Sequence, residues 1–211
     1  KLLPGVPVKE SINLITDISK IGESDIVIFA IPSTFVRKIA KLAAPYIPAN
    51  SVILNTGKGL EDGTFKRLSV VLEEEIPNNP IVVLSGPSHA EEVAIGMPTT
   101  IVASSKDMSK ANYIQEQLSN STLRIYANDD VLGCELGGAL KNIIALCAGI
   151  CDGMGYGDNT KAALMTRGIT EIARLGVALG GRMDTFAGLT GIGDLIVTCT
   201  SMHSRNRRAG I

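Results

Sequence analysis

Apolar residues recur along the first 128 positions in short runs, separated by amphipathic stretches. Asp25 to Ile31 (DIVIFAI) is a buried-strand run ended by Pro32. Ser51–Asn55, Ile81–Ser85 and Thr99–Ala103 predict three more strands, and Leu123–Tyr126 a weaker fifth. Helical spacing fills the gaps at Ser33–Ala44, Thr64–Glu75 and Asp107–Asn120. Near-continuous Val/Ile runs mean that both sheet faces are covered, which is the habit of parallel sheets linked by crossover helices. Ligands of such sheets bind beyond the carboxyl ends of the strands.

After Asn128 the texture changes, and no further strand pattern survives. Asp129-Asp130 offer an N-cap for a long, small-residue-rich helix over Val131–Ile150. Thr160–Leu179 predicts a second helix, closed by Gly180-Gly181. The expected organisation is therefore an α/β domain over 1–128 and an all-α domain over 129–211.

Composition narrows the classes of function. A formal net charge of −1 provides no global field for nucleic acid or anionic lipid. The apolar run Ile143–Ile150 is too short to span a bilayer. Cys134, Cys147, Cys151 and Cys199 occur beside only His89 and His203, a set without metal-ligand spacing, so buried reduced thiols are expected. The chain starts at Lys1 in LLPG and stops at RRAGI, neither of which resembles a natural domain edge.

Lys141 stands out because its neighbours in VLGCELGGALKNIIALCAGI are apolar or small for more than two turns. A lysine is rarely buried without a partner, and desolvation draws its pKa toward neutrality, as an acid–base group requires. A lysine that snorkels to water is the alternative. Gly137 and Gly138 let a backbone or ligand approach one turn earlier. Asp194, in GLTGIGDLIVTCT, is its natural counter-charge, a helix N-cap, or both at once, and Thr198 shares its face four residues on. Ser204-Arg205-Asn206-Arg207-Arg208 is equipped to hold a phosphate, or is a solvated helix start. Lys58, between Gly57 and Gly59, and the Ser85–Glu91 segment each follow a strand where ligands meet the sheet. The glycine series at 153–157 and 188–193 lack the dinucleotide fingerprint's order and its preceding strand.

Together the segments IVIFAIPS, NTGKGLE, LSGPSHAEEVA, ELGGALKNIIALCAGICDGMGYGDNTKAALMTRG, GLTGIGDLIVTCTS and SRNRRAG resemble the bacterial-type NAD(P)-dependent glycerol-3-phosphate dehydrogenases, in family order and over nearly the whole chain. The resemblance implies a Rossmann-like domain, incomplete at its N-terminus, followed by the first part of an all-α substrate domain. It also implies reversible reduction of dihydroxyacetone phosphate to sn-glycerol 3-phosphate in the cytoplasm, with NAD or NADP, for phospholipid synthesis. Lys141 would be the acid–base and Asp194 its orienting charge, with Asn142 and Thr198 beside them. Lys58, Gly86, Ser88, Ser204, Arg205 and Asn206 would hold substrate. Lys58, Ala90, Arg205 and Pro32 would meet the dinucleotide. Implied partners are the small-molecule substrate and at most a second copy in a homodimer, with no nucleic acid and no membrane insertion. The related β-hydroxyacid and 6-phosphogluconate dehydrogenases place asparagine four residues after the lysine. Here Asn142 is adjacent and Ala145 holds that position. The family's Gly-rich strand–helix start has no counterpart in the sequence, so an inactive truncated form is a further reading.

Overall fold

The computed structural model describes residue 3 and residues 5–211. Lys1, Leu2 and Pro4, part of the opening stretch, lie outside the described residues. A five-stranded sheet runs in the order β1 (Ile26–Phe29), β2 (Val52–Asn55), β3 (Ile81–Ser85), β4 (Thr99–Ser104) and β5 (Leu123–Asn128). The four helices of this half are α1 (Val36–Ala43), α2 (Leu68–Glu75), α3 (Ala90–Ala94) and α4 (Met108–Leu118). Alternation sorts the strand residues between two cores. Ile53 packs with Val36, Leu68 and Leu72 on one face. Val52 and Leu54 pack with Ile114 and Ile125 on the other.

The expected all-parallel sheet is corrected in one respect. β1, β2 and β3 are parallel, but β4 runs antiparallel to β3, and β5 follows β4 in parallel. The cause lies in α3. A parallel return needs a crossover element packed on the sheet, and α3 has five residues, none of them buried. It leaves the sheet as a surface excursion, and the chain turns back beside β3. α4 does bury Ala111 and Ile114 against the sheet, and the strand after it is parallel.

Two helix starts also differ from expectation. A 3-10 turn occupies Ser33–Phe35 before α1. α2 begins at Leu68 rather than Thr64, because Gly63 and Phe65 both take positive φ and Leu60 pairs with Arg67 in an antiparallel bridge. The 56–67 segment is thus a folded loop, not a helical lead-in.

The second half is helical. α5 spans Val131–Gly153 and is capped by Asp130, whose Oδ1 accepts from the Gly133 amide at 2.8 Å. α6 (Asp158–Ala178) and α7 (Met183–Ala187) follow. A π-helical turn, Leu189–Gly193, then runs straight into α8 (Asp194–Thr200), and α9 is Arg205–Gly210. By length and composition α5 could cross a bilayer, but 56% of its most apolar window is buried inside the protein. It is the central helix, contacted by α6, α8 and α9. Cys134 and Cys199 are buried free thiols, with burial pushing both up to about 11, whereas Cys147 and Cys151 are free but only half-buried.

Candidate functional site

Two buried charges from distant parts of the sequence meet where the helical domain faces the carboxyl ends of β2 and β3. Lys141 on α5 is 6% exposed and Asp194 on α8 is 1% exposed. Helix α5 can lie this close because Gly137 has no side chain; a Cβ there would stand 2.4 Å from the Thr190 carbonyl oxygen. The π-helical turn is the segment that α5 touches, and it aims the first residue of α8 at the lysine. Local π turns of this kind are frequently found at functional sites.

The Lys141 ammonium donates to Asp194 Oδ1 and, at 2.6 Å, to Thr198 Oγ1. Thr198 in turn donates to the Asp194 carbonyl at 2.6 Å, the usual i−4 bond of a helical threonine. The other carboxylate oxygen, Oδ2, accepts from Lys58 Nζ at 2.6 Å. One carboxylate therefore lies between two amines. Lys58 also donates to the Gly86 carbonyl at 2.7 Å, which accepts the Ser88 hydroxyl as well at 3.1 Å. Gly86 takes a φ of +133°, and a Cβ there would press on the Ile101 backbone at 3.1 Å, so the turn after β3 needs glycine.

The balance of charge sets the lysine's acidity. Burial pulls Lys141 down from its ordinary value, the positive charge of Lys58 pulls the same way, and Asp194 opposes both, leaving it at about 8. An ammonium carries three N–H donors. Two are taken by Asp194 and Thr198, and the third makes no hydrogen bond among the described residues. Snorkelling is ruled out by the burial, and the capping reading of Asp194 by its bonds, since Gly193 takes the N-cap position without a side-chain bond from Asp194.

The remaining sequence candidates are less tightly joined. Asn142 is half-buried, one position round the helix, and makes no side-chain hydrogen bond among the described residues. Pro32 and Ala90 are exposed at the carboxyl side of β1 and β3. Ser204 is the N-cap of α9, its hydroxyl accepting from the Arg207 amide at 3.2 Å, as the helix-start reading required. The basic cluster is split by geometry. Arg207 turns inward, donating to Asp152 at 2.7 Å and to the Thr200 carbonyl at 2.6 Å, while Arg205 is exposed and Asn206 half-buried. The two loops carrying Ser88 and Ser204 touch through His89 and His203, whose ring centroids are 5.8 Å apart.

Two features are added by the structure to what the sequence singles out. The Ser85 hydroxyl is buried without a partner, and it sits against Gly138 beside the Lys58 side chain. Glu135, also on α5, is buried on Arg67 and Ser69. A charge inside the same apolar helix was a visible signal for Glu135, of the kind that marked Lys141. Among the described residues, no group of three or more His, Cys, Asp or Glu side chains is placed to hold a metal ion.

Comparison with known proteins gives the setting. The family model described as NAD-dependent glycerol-3-phosphate dehydrogenase N-terminus matches residues 1–111, and the corresponding C-terminus model matches residues 130–211. The chain is 56% identical over 209 residues to a glycerol-3-phosphate dehydrogenase [NAD(P)+] of Desulfitobacterium hafniense, covering 99% of this chain and 59% of that protein. It is 60% identical over 188 residues to the Clostridium perfringens protein of the same name, covering 89% and 57%. A crystal structure of glycerol-3-phosphate dehydrogenase from Coxiella burnetii superposes with a TM-score of 0.93 at 38% identity, over 98% of this chain and 63% of that one. The chain thus spans less than two thirds of the length of these relatives.

Proposed function

Because this chain belongs to the NAD-dependent glycerol-3-phosphate dehydrogenase family, we propose that it carries the substrate chemistry for interconverting dihydroxyacetone phosphate and sn-glycerol 3-phosphate with NAD or NADP, feeding phospholipid synthesis. The observation behind this reading is the buried Asp194 carboxylate held between Lys141 and Lys58. We take residues 1–128 as the remainder of the dinucleotide-binding domain and 129–211 as the first part of the substrate domain. The last strand ends at Asn128 and the central helix starts at Val131.

The residues at the strand ends suit the nicotinamide end of a dinucleotide. Ser85, with its orphaned hydroxyl, ends β3 beside the Lys58 side chain, and Pro32 and Ala90 follow β1 and β3 in the chain, on the side where ligands of such sheets bind. In this reading Lys58, Ala90 and Pro32 would hold the dinucleotide, together with Arg205 at the start of α9. A dinucleotide bound there would supply or accept the hydride of the interconversion.

Lys141 moves the proton. Its third N–H is the one free to pass to the carbonyl oxygen during reduction, and the neutral amine takes the hydroxyl proton in reverse. Asp194 and Thr198 hold the amine by its other two hydrogens, and Asn142 lines the same helix turn. Lys58, Gly86 and Ser88 hold the carbon skeleton. Ser204, Arg205 and Asn206 grip the phosphate, a planar guanidinium being well matched to its oxygens. The same reading has the protein in the cytoplasm, outside the membrane and apart from nucleic acid, and is compatible with a homodimer.

Protonation of Lys141 gives this assignment a pH signature. Reduction needs the ammonium, so kcat/KM for dihydroxyacetone phosphate should fall as pH rises through about 8. Oxidation of sn-glycerol 3-phosphate needs the free amine, so its kcat/KM should rise through the same region. Parallel profiles in the two directions would exclude Lys141 as the titrating group. For the phosphate end, Arg205→Ala should raise KM by about 10- to 100-fold with little change in kcat, as expected for a lost charge-assisted bond made equally in ground and transition states. An unchanged KM would remove Arg205 from the site.

A further inference from the structure

Glu135 is the second charged residue that α5 buries, at 6% exposure, and the proton transfer above makes no use of it. A buried carboxylate is costly unless its oxygens are well paired. Oε1 accepts from the Ser69 amide at 2.8 Å. Oε2 accepts from the Ser69 hydroxyl at 2.5 Å and from Arg67 Nη1 at 2.8 Å. Ser69 is the second residue of α2, which has no side-chain cap of its own. A carboxylate from the helical domain therefore closes the amino end of a helix in the sheet domain. Burial pushes the carboxyl up, and Ser69 and Arg67 hold it down.

This contact lies at the end of the segment between β2 and α2. Arg67 is bridged to Leu60, and Leu60 packs on the cluster of Leu136, Ile172 and Phe186 in the helical domain. Lys58 lies two residues before Leu60 and ends on Asp194. On its outer side the loop is tied by Arg37, which donates to Glu61 Oε1 at 2.6 Å and Oε2 at 2.9 Å. The chain from Glu135 to Lys58 is thus short and continuously bonded.

We propose that Glu135 is a positioning residue: by binding Arg67 and Ser69 to α5, it sets the Lys58 ammonium against the Lys141–Asp194 pair. The proposal rests on the reading of Lys141 as the proton-transfer group. A plain staple between domains would support folding and leave Lys141 untouched. Positioning has a further consequence, because the charge of Lys58 is one of the forces holding Lys141 down. Letting Lys58 drift away must let the Lys141 amine titrate higher.

The experiment is a titration of Lys141 by NMR in full-length protein labelled with 13C-lysine, without substrate, for wild type, Glu135→Gln and Lys58→Met. The ionisable groups facing Lys141 are Lys58 from the β2–α2 loop and Asp194 and Cys199 from α8. Glutamine keeps the volume but sets an amide among three converging donors. Both variants should raise the Lys141 midpoint, and Glu135→Gln should lower kcat by up to about 10²-fold, the scale of an ångström-sized misplacement. A Glu135→Gln protein with native circular dichroism and a wild-type Lys141 midpoint would overturn the proposal. Should the glutamine variant not fold, Ser69→Ala removes one of the three donors, and a smaller upward shift supports the role while no shift overturns it. Because the titration uses no substrate, a shifted midpoint without turnover of dihydroxyacetone phosphate would count against the reaction and not against Glu135.

Discussion

Asp194→Asn should cost both stability and turnover, and more of the two together than any other single change in the site. The carboxylate is 1% exposed and is the shared partner of Lys58 and Lys141. An asparagine leaves the buried Lys141 amine, and the half-buried Lys58 amine beside it, with no countercharge. Removing one side of a buried ion pair costs about 3–5 kcal/mol, which for a chain of this size lowers the melting midpoint by on the order of 10 °C. Lys141 also loses the one influence that raises it, so its amine becomes neutral at a lower pH and reduction fails for want of a proton. Thermal melts and the pH profile of reduction read the two effects separately. The double variant Asp194→Asn/Lys58→Met should recover part of the stability, since it removes one of the stranded charges. A double variant no more stable than Asp194→Asn alone would refute the shared-carboxylate account.

Lys141→Ala should behave differently. Asp194 keeps its bond to Lys58 at 2.6 Å, so no charge is left without a partner and the fold should persist. What disappears is the proposed proton donor, and losing one such group costs about 10²–10⁴ in rate. The assay is oxidation of NAD(P)H by dihydroxyacetone phosphate in the full-length protein, with circular dichroism to check the fold. Near-normal kcat would dismiss Lys141 as the acid. Taken together, the two variants separate a residue that moves the proton from one that holds the mover in place.

Much of this architecture is visible in the residue pattern. The strand runs at 26–29, 52–55 and 81–85 follow from uninterrupted β-branched and aliphatic residues, because such runs can be buried on both faces only inside a sheet. The long helix from Val131 follows from small and apolar residues behind an Asp130 cap. Lys141 was conspicuous because a charge in that setting must either escape to water or find a partner. Pattern was silent where the outcome depended on what lies across the fold. The direction of β4 turned on whether α3 could pack on the sheet, and the start of α2 on positive φ at Gly63 and Phe65.

Local pattern is enough for the five strands, for the long central helix and for a lysine out of place within it, since periodicity and burial preference are properties of neighbouring residues. Only the tertiary structure decided that Asp194 serves two lysines at once, that Arg207 turns inward while Arg205 faces out, and that Glu135 anchors the loop of Lys58. Those facts rest on partners 53 to 136 residues apart in the chain. A contact at such separation is set by how helices and sheet pack, and no run of neighbouring residues encodes it.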